Sequence, residues 1–110
     1  YNQRQNQAAV TWANEQIPTE ATVYTFGITL IMQHESTPPA QVYEIYYETP
    51  ETLAAKWTPG RDDYLLLNVW NIENQWPGLA PQIVYHWLRD ERGLTELGKH
   101  GNYTLFQVDG

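Results

Sequence analysis

Residues 64–70 read YLLLNVW, with the turn residues Pro59-Gly60-Arg61-Asp62 before them and NIENQWPGLAP at 71–81 after. A strand with one wet face alternates apolar and polar residues. A run of apolar residues of this kind between turn signals describes a strand covered on both faces. Such a strand belongs at the centre of a sheet, and the rest of the chain is read outward from it.

On the N-terminal side, TPETLAAKW at 49–57 predicts a helix. Thr49 is its N-cap, Pro50 sits at the first helical position, and Glu51 suits the positive end of the helix dipole. Before it, QVYEIYYE at 41–48 and ATVYTF at 21–26 are rich in β-branched and aromatic residues and read as strands. Between those strands GITLIMQHE at 27–35 fits a short helix through Ile28, Ile31, Met32 and Glu35, closed by Ser36-Thr37-Pro38-Pro39. The chain opens with a helix from about Arg4 to Ile17. Ala9, Val10, Ala13 and Ile17 share its apolar face and Pro18 stops it.

On the C-terminal side, NIENQWPGLAP reads as irregular, and a helix runs from about Pro81 to Arg92 with Ile83, Val84, Trp87 and Leu88 on one face and Gly93 as its stop. LTELGKHGNYTLFQVDG at 94–110 is a hairpin turning at Lys99-His100-Gly101-Asn102. Strands and helices therefore alternate. The expected fold is α/β: a single three-layer domain with a mostly parallel sheet of about five strands, helices on both faces, and the hairpin pairing antiparallel at the edge.

Composition agrees with one folded unit. The chain has 110 residues, 42% apolar and 14% aromatic. Thirteen acidic against six basic residues give a net charge of -7, with the cations dispersed, so the basic patch that nucleic acid requires is missing and no nucleic-acid partner is expected. The absence of cysteine excludes disulfides and thiolate metal sites. No apolar run approaches the roughly 20 residues of a membrane span. The start at Tyr1, without a methionine, suggests an excised piece of something longer.

Ligands of open α/β sheets bind beyond the carboxyl ends of the strands. That rim offers Thr25, Phe26 and Gly27 after the first strand, Tyr46, Tyr47 and Glu48 after the second, and Asn68, Trp70, Asn71, Glu73 and Asn74 after the third. Aromatics among amides and carboxylates suit a sugar, and Thr25, Tyr47, Glu48, Asn68, Trp70, Asn71, Glu73 and Asn74 are the candidate ligand or acceptor residues. The plainer reading has the Asn and Glu side chains capping helices while Trp70 and Trp76 cover the core.

No self-contained active site is visible. TFGITLIMQ lacks the glycines of a dinucleotide fingerprint and the Gly-Lys-Ser/Thr of a P-loop. Asp62 and Asp63 precede their strand, where a phosphoacceptor would follow it. Glu44 and Glu48, if both on one strand, stand about 13 Å apart, beyond the roughly 5 to 9.5 Å of a glycosidase pair. His34, His86 and His100 are isolated and read as surface or packing residues. Ser36, the sole serine, lies in a Pro-rich loop with no nucleophile-elbow motif. No cofactor or metal site is expected in the domain.

Two stretches carry a resemblance. AAVTWANEQIPTEATVYTFG at 8–27, through Trp12, Pro18, Ala21 and Val23, and GLTELGKHGNYTLFQV at 93–108, through Gly101, Tyr103, Leu105 and Val108, together resemble the soluble C-terminal tail of GT-C type membrane glycosyltransferases. These are the dolichyl-phosphate-mannose protein mannosyltransferase and aminoarabinose transferase-like proteins of bacteria. The likeness departs at Ala13, where Ile or Leu is usual, and NIENQWPGLAPQIVYHWL at 71–88 has no counterpart.

The resemblance implies a domain on the extracytoplasmic face of the membrane, packed against its own upstream transmembrane region. The enzyme would use a polyprenyl-phosphate sugar donor, with its acidic catalytic residue and any metal site in the first extracytoplasmic loop of the membrane part, outside this chain. No catalytic residue carries over, so the isolated domain is expected to be inactive and to assist binding of a lipid-linked sugar or glycan acceptor. Two other classes stand beside it: a free-standing α/β module for a sugar or nucleotide, and an interaction domain using exposed Trp and Tyr.

Overall fold

Leu65, Leu66 and Leu67 are completely buried, and successive side chains leave the strand on opposite faces. Leu65 and Leu67 join a cluster with Tyr24, Phe106 and Val108 from neighbouring strands and with Leu53, Ile72, Val84 and Leu88 from helices. Leu66 enters a second cluster with Val23, Val42 and Leu105 and with Ala9, Val10, Ala13 and Met32. A strand feeding two clusters must be apolar on both faces, as Leu65-Leu66-Leu67 is; the strand ends at Asn68, and Val69 and Trp70, read with it, open the next helix.

The computed structural model describes residues 3–34, 39, 41–56, 60 and 62–110. The elements are α1 (Gln3–Gln16), β1 (Thr22–Thr25), α2 (Thr29–His34), β2 (Gln41–Glu44), α3 (Pro50–Lys56), β3 (Tyr64–Asn68), α4 (Val69–Asn74), α5 (Ala80–Trp87), a π-helical turn (Leu88–Arg92), β4 (Leu94–His100) and β5 (Tyr103–Val108). Glu35, Ser36, Thr37, Pro38, Trp57, Pro59 and Arg61, which carried parts of the sequence reading, lie outside the described residues, as does Tyr1.

The domain is α/β with a five-stranded sheet in the order β2-β1-β3-β5-β4, so β3 is the central strand. The sheet is mixed: β1 pairs with β2 and β3 in parallel, whereas β3–β5 and β4–β5 are antiparallel. This corrects the expectation of a mostly parallel sheet. The hairpin does end the sheet, but its last strand lies inside and β4 forms the edge. The burial agrees with that order: β5 is buried along both faces, while β4 exposes five of seven residues and carries Glu96 and Lys99, which suit an edge that must not pair further.

Boundaries moved in three places. The second strand ends at Glu44 instead of Glu48, so the Glu44–Glu48 spacing argued for an extended strand does not apply. The stretch read as irregular contains α4, because the Asn68 side chain accepts a hydrogen bond from the Asn71 N–H (3.0 Å) and starts a helix directly at the end of β3. The last helix buries Pro81, Val84, Tyr85 and Leu88 but leaves Ile83 exposed; beyond Trp87 it widens into a π-turn closed by Gly93 N–H donating to the Leu88 carbonyl (3.0 Å). The Thr49 cap of α3 is present, with Thr49 and Thr52 bonded reciprocally through backbone N–H and side-chain oxygen (2.7 and 3.2 Å).

Burial has a consequence at high pH. The Tyr24 phenol is pushed far above its ordinary value by burial first, then by Asp63 and Tyr43, and Tyr85 is raised by burial against the opposing Arg89. Both groups hold their protons more tightly folded than unfolded, where they titrate near about 10. Their stabilisation is therefore intact below pH ~10 and lost as pH rises beyond it. Urea denaturation at stepped pH should show stability falling above pH ~10, and Tyr24→Phe should flatten that decline. An unchanged slope in the variant contradicts the assignment.

Candidate functional site

The direction of β5 decides what reaches the carboxyl ends of β1 and β3. Because β5 runs antiparallel to β3, Asn68 at the end of β3 pairs with Tyr103 at the start of β5, and the Gly101-Asn102 turn arrives at that rim. Gly101 has φ +59, a positive φ at the first loop position, where a II′ hairpin turn places glycine. The first turn of α1 arrives from above, fixed by the Tyr103 hydroxyl donating to Asn6 Oδ1 (3.1 Å).

Between these parts lies a crevice of about 530 Å3, within the usual range for small-ligand sites. The turn after β1 contributes Phe26, Gly27 and Ile28; β3 and α4 contribute Asn68 and Asn71, followed by Gln75 and Trp76; Gln5, Asn6, Asn102 and Tyr103 close it. It sits where the connection from β1 leaves toward β2 and that from β3 leaves toward the other side, the switch point at which open α/β sheets bind ligands.

The chemistry of the lining is narrow. Six side-chain amides (Gln5, Asn6, Asn68, Asn71, Gln75, Asn102) stand with Phe26, Trp76 and Tyr103, and no charged side chain is among them. Among the described residues, the side chains of Asn71, Gln75 and Asn102 make no hydrogen bond. Each amide offers two donors and one acceptor oxygen, so this surface matches groups that are donor and acceptor at once, as hydroxyls are.

Glu44 shapes one wall. Its carboxylate accepts from the Gly27 N–H (2.7 and 2.9 Å), the Thr29 hydroxyl (3.0 Å) and the Tyr46 N–H (3.1 Å). Gly27 has φ +77, a conformation that glycine adopts without a Cβ clash. The end of β2 thus anchors the turn after β1 beside the crevice.

Of the eight candidate residues, the crevice gathers Asn68 and Asn71. Thr25 is fully buried and donates to the Leu66 carbonyl (2.7 Å), tying β1 to β3. Tyr47 is 85% exposed and meets Tyr46 edge-on, which in turn meets Trp76. Glu48 is paired with Lys56 (3.3 Å), and Glu73 with His86 (2.8 Å) and the Gln82 amide (3.3 Å). Trp70 is half exposed on α4, and its carbonyl accepts from the Asn74 side chain (2.9 Å).

Among the described residues no group of three or more His, Cys, Asp or Glu side chains could hold a metal ion, and no helix is long and apolar enough to cross a membrane.

Fold and site together define a mixed-sheet α/β domain with an uncharged, amide-lined crevice at its switch point. Comparison of the chain with protein-family models, with curated proteins and with solved structures found no match in any of the three.

Proposed function

We propose that this chain is a non-catalytic binding domain whose ligand is a hydroxyl-rich saccharide seated in the crevice between the ends of β1 and β3. The observation that carries the reading is the lining itself: six amides and three aromatics without a charge. Amides exchange donor and acceptor bonds with hydroxyls, aromatic faces cover the apolar side of a sugar ring, and no ionised group in the lining supplies acid or base chemistry. The two apolar clusters, one with α1 and α2 and the other with α3, α4 and α5, support a three-layer arrangement around the sheet.

In this reading the domain serves a membrane glycosyltransferase of the type its end segments resemble, on the extracytoplasmic face, where it holds the sugar of a donor or acceptor while the upstream membrane part performs the transfer. Trp12, Pro18, Tyr103 and Leu105 support that context. Sequencing upstream of Tyr1 tests it: eight or more apolar spans with acidic residues in the first outward loop are expected, and a soluble upstream region contradicts it.

Binding is tested by titrating the 110-residue chain with methyl glycosides of glucose, mannose and galactose. At least one should bind saturably. Gln75→Ala and Asn102→Ala, both on exposed residues, should each weaken it about tenfold, the loss of roughly one buried polar contact. Binding that survives both substitutions contradicts the site.

A further inference from the structure

The crevice does not end at the hairpin turn. A second hollow of about 320 Å3 adjoins it, and Gln5, Asn6, Asn68, Asn102 and Tyr103 line both. The second hollow adds Arg4, on the first turn of α1, and His100, the last residue of β4. The His100 ring lies 5.8 Å from that of Trp12, so α1 meets the hairpin at this point as well as at Asn6. Among the described residues neither Arg4 nor His100 takes part in an ion pair.

Acidic groups are absent from both linings, although the chain carries 13 of them. The joined site therefore has a neutral amide end and a basic end, the reverse of the charge of the whole molecule. Long-range repulsion from a net charge of -7 is screened within about 8–10 Å at physiological ionic strength, so the near groups decide what binds. A neutral sugar would satisfy the amides and use neither Arg4 nor His100.

We infer that the ligand is an acidic saccharide, a sugar ring in the amide crevice carrying one anionic substituent that Arg4 and His100 receive. This rests on the proposed function and names the ligand class of the same site. The planar guanidinium offers paired N–H donors that match carboxylate or phosphate oxygens, and the imidazole adds a ring N–H donor.

The test is a titration at fixed ionic strength with methyl glycosides, the corresponding methyl uronosides, the hexose 6-phosphates, and inorganic phosphate alone. The acidic sugars should bind about tenfold or more tighter than the neutral ones, an increment fitting one charge-assisted contact. Arg4→Gln and His100→Gln should each reduce that preference while leaving neutral glycosides unchanged; both positions are exposed. Uronosides against phosphates distinguish which anion is read. Equal affinity for neutral and acidic sugars, or a preference that survives both variants, overturns the inference and leaves the neutral crevice standing. Inorganic phosphate binding as tightly as the acidic sugars overturns it as well, since no sugar would be needed. Failure of every saccharide to bind overturns the proposed function itself.

Discussion

Leu66→Ala is expected to lower the unfolding free energy by about 3–4 kcal/mol, through the lost transfer energy of the side chain plus the cavity left behind. Leu66 is fully buried on the central strand, opposite Thr25 in β1 and Leu105 in β5, and its cluster includes Val10 and Ala13 of α1. Strands hold the backbone on both sides, so the site cannot collapse to fill the void. A domain of this length is stable by about 5–15 kcal/mol, so the variant loses at least a fifth of its stability, visible as a lower urea midpoint at unchanged slope. Leu97→Ala, on the edge strand and 47% exposed, should stay within about 0.5 kcal/mol of the parent. A Leu66→Ala loss no larger than that of Leu97→Ala would remove β3 from the centre of the core.

Glu44→Ala is the second large effect, about 2–3 kcal/mol, because hydrogen bonds to a charged acceptor are each worth about 1.5–3 kcal/mol before partial exposure reduces them. Three of the groups that donate to it, the N–H of Gly27, the hydroxyl of Thr29 and the N–H of Tyr46, lose an acceptor at once. Glu44→Gln should fall between, since one oxygen remains while the new NH2 faces other donors. Saccharide affinity should drop with it, because Gly27 lines the crevice. Unchanged stability and unchanged affinity in Glu44→Ala would make the carboxylate an ordinary surface group.

Much of the architecture was legible because it depends on local pattern. The apolar run at 64–70 marks the central strand, although that strand ends at Asn68; Ala9, Val10 and Ala13 mark the buried face of α1, with Ile17 buried just past its end; Thr49 and Pro50 mark the start of α3. What stayed hidden depends on pairing across the chain. Nothing local states that β5 inserts between β3 and β4, yet that insertion sets Asn102 and Tyr103 beside Asn68.

The site was legible to the same limited extent. The rule that ligands gather at strand carboxyl ends points to Asn68 and Asn71, which line the crevice, whereas Trp76, which lines it too, reads in the sequence only as core cover. Gln5, Asn6, Gln75 and Asn102 were missed, since they come from a helix start and two turns that reach the rim only after folding. The amide-rich opening NQRQNQ at 2–7 was the available signal for α1. Thr25 and Glu48 stand outside the crevice lining because the fold uses them elsewhere, one bonded to the Leu66 carbonyl and the other paired with Lys56.

The central claim is that the crevice at the ends of β1 and β3 is where this domain binds a saccharide. Its most direct measurement is amide chemical-shift mapping of the 15N-labelled chain during titration with the methyl glycoside and uronoside series. Saturable shifts concentrated at Gly27, Asn71, Gln75 and Asn102, with Tyr47, Glu51 and Ile83 unmoved, are the predicted result. Shifts centred away from the crevice, or none at saturating sugar, would contradict it.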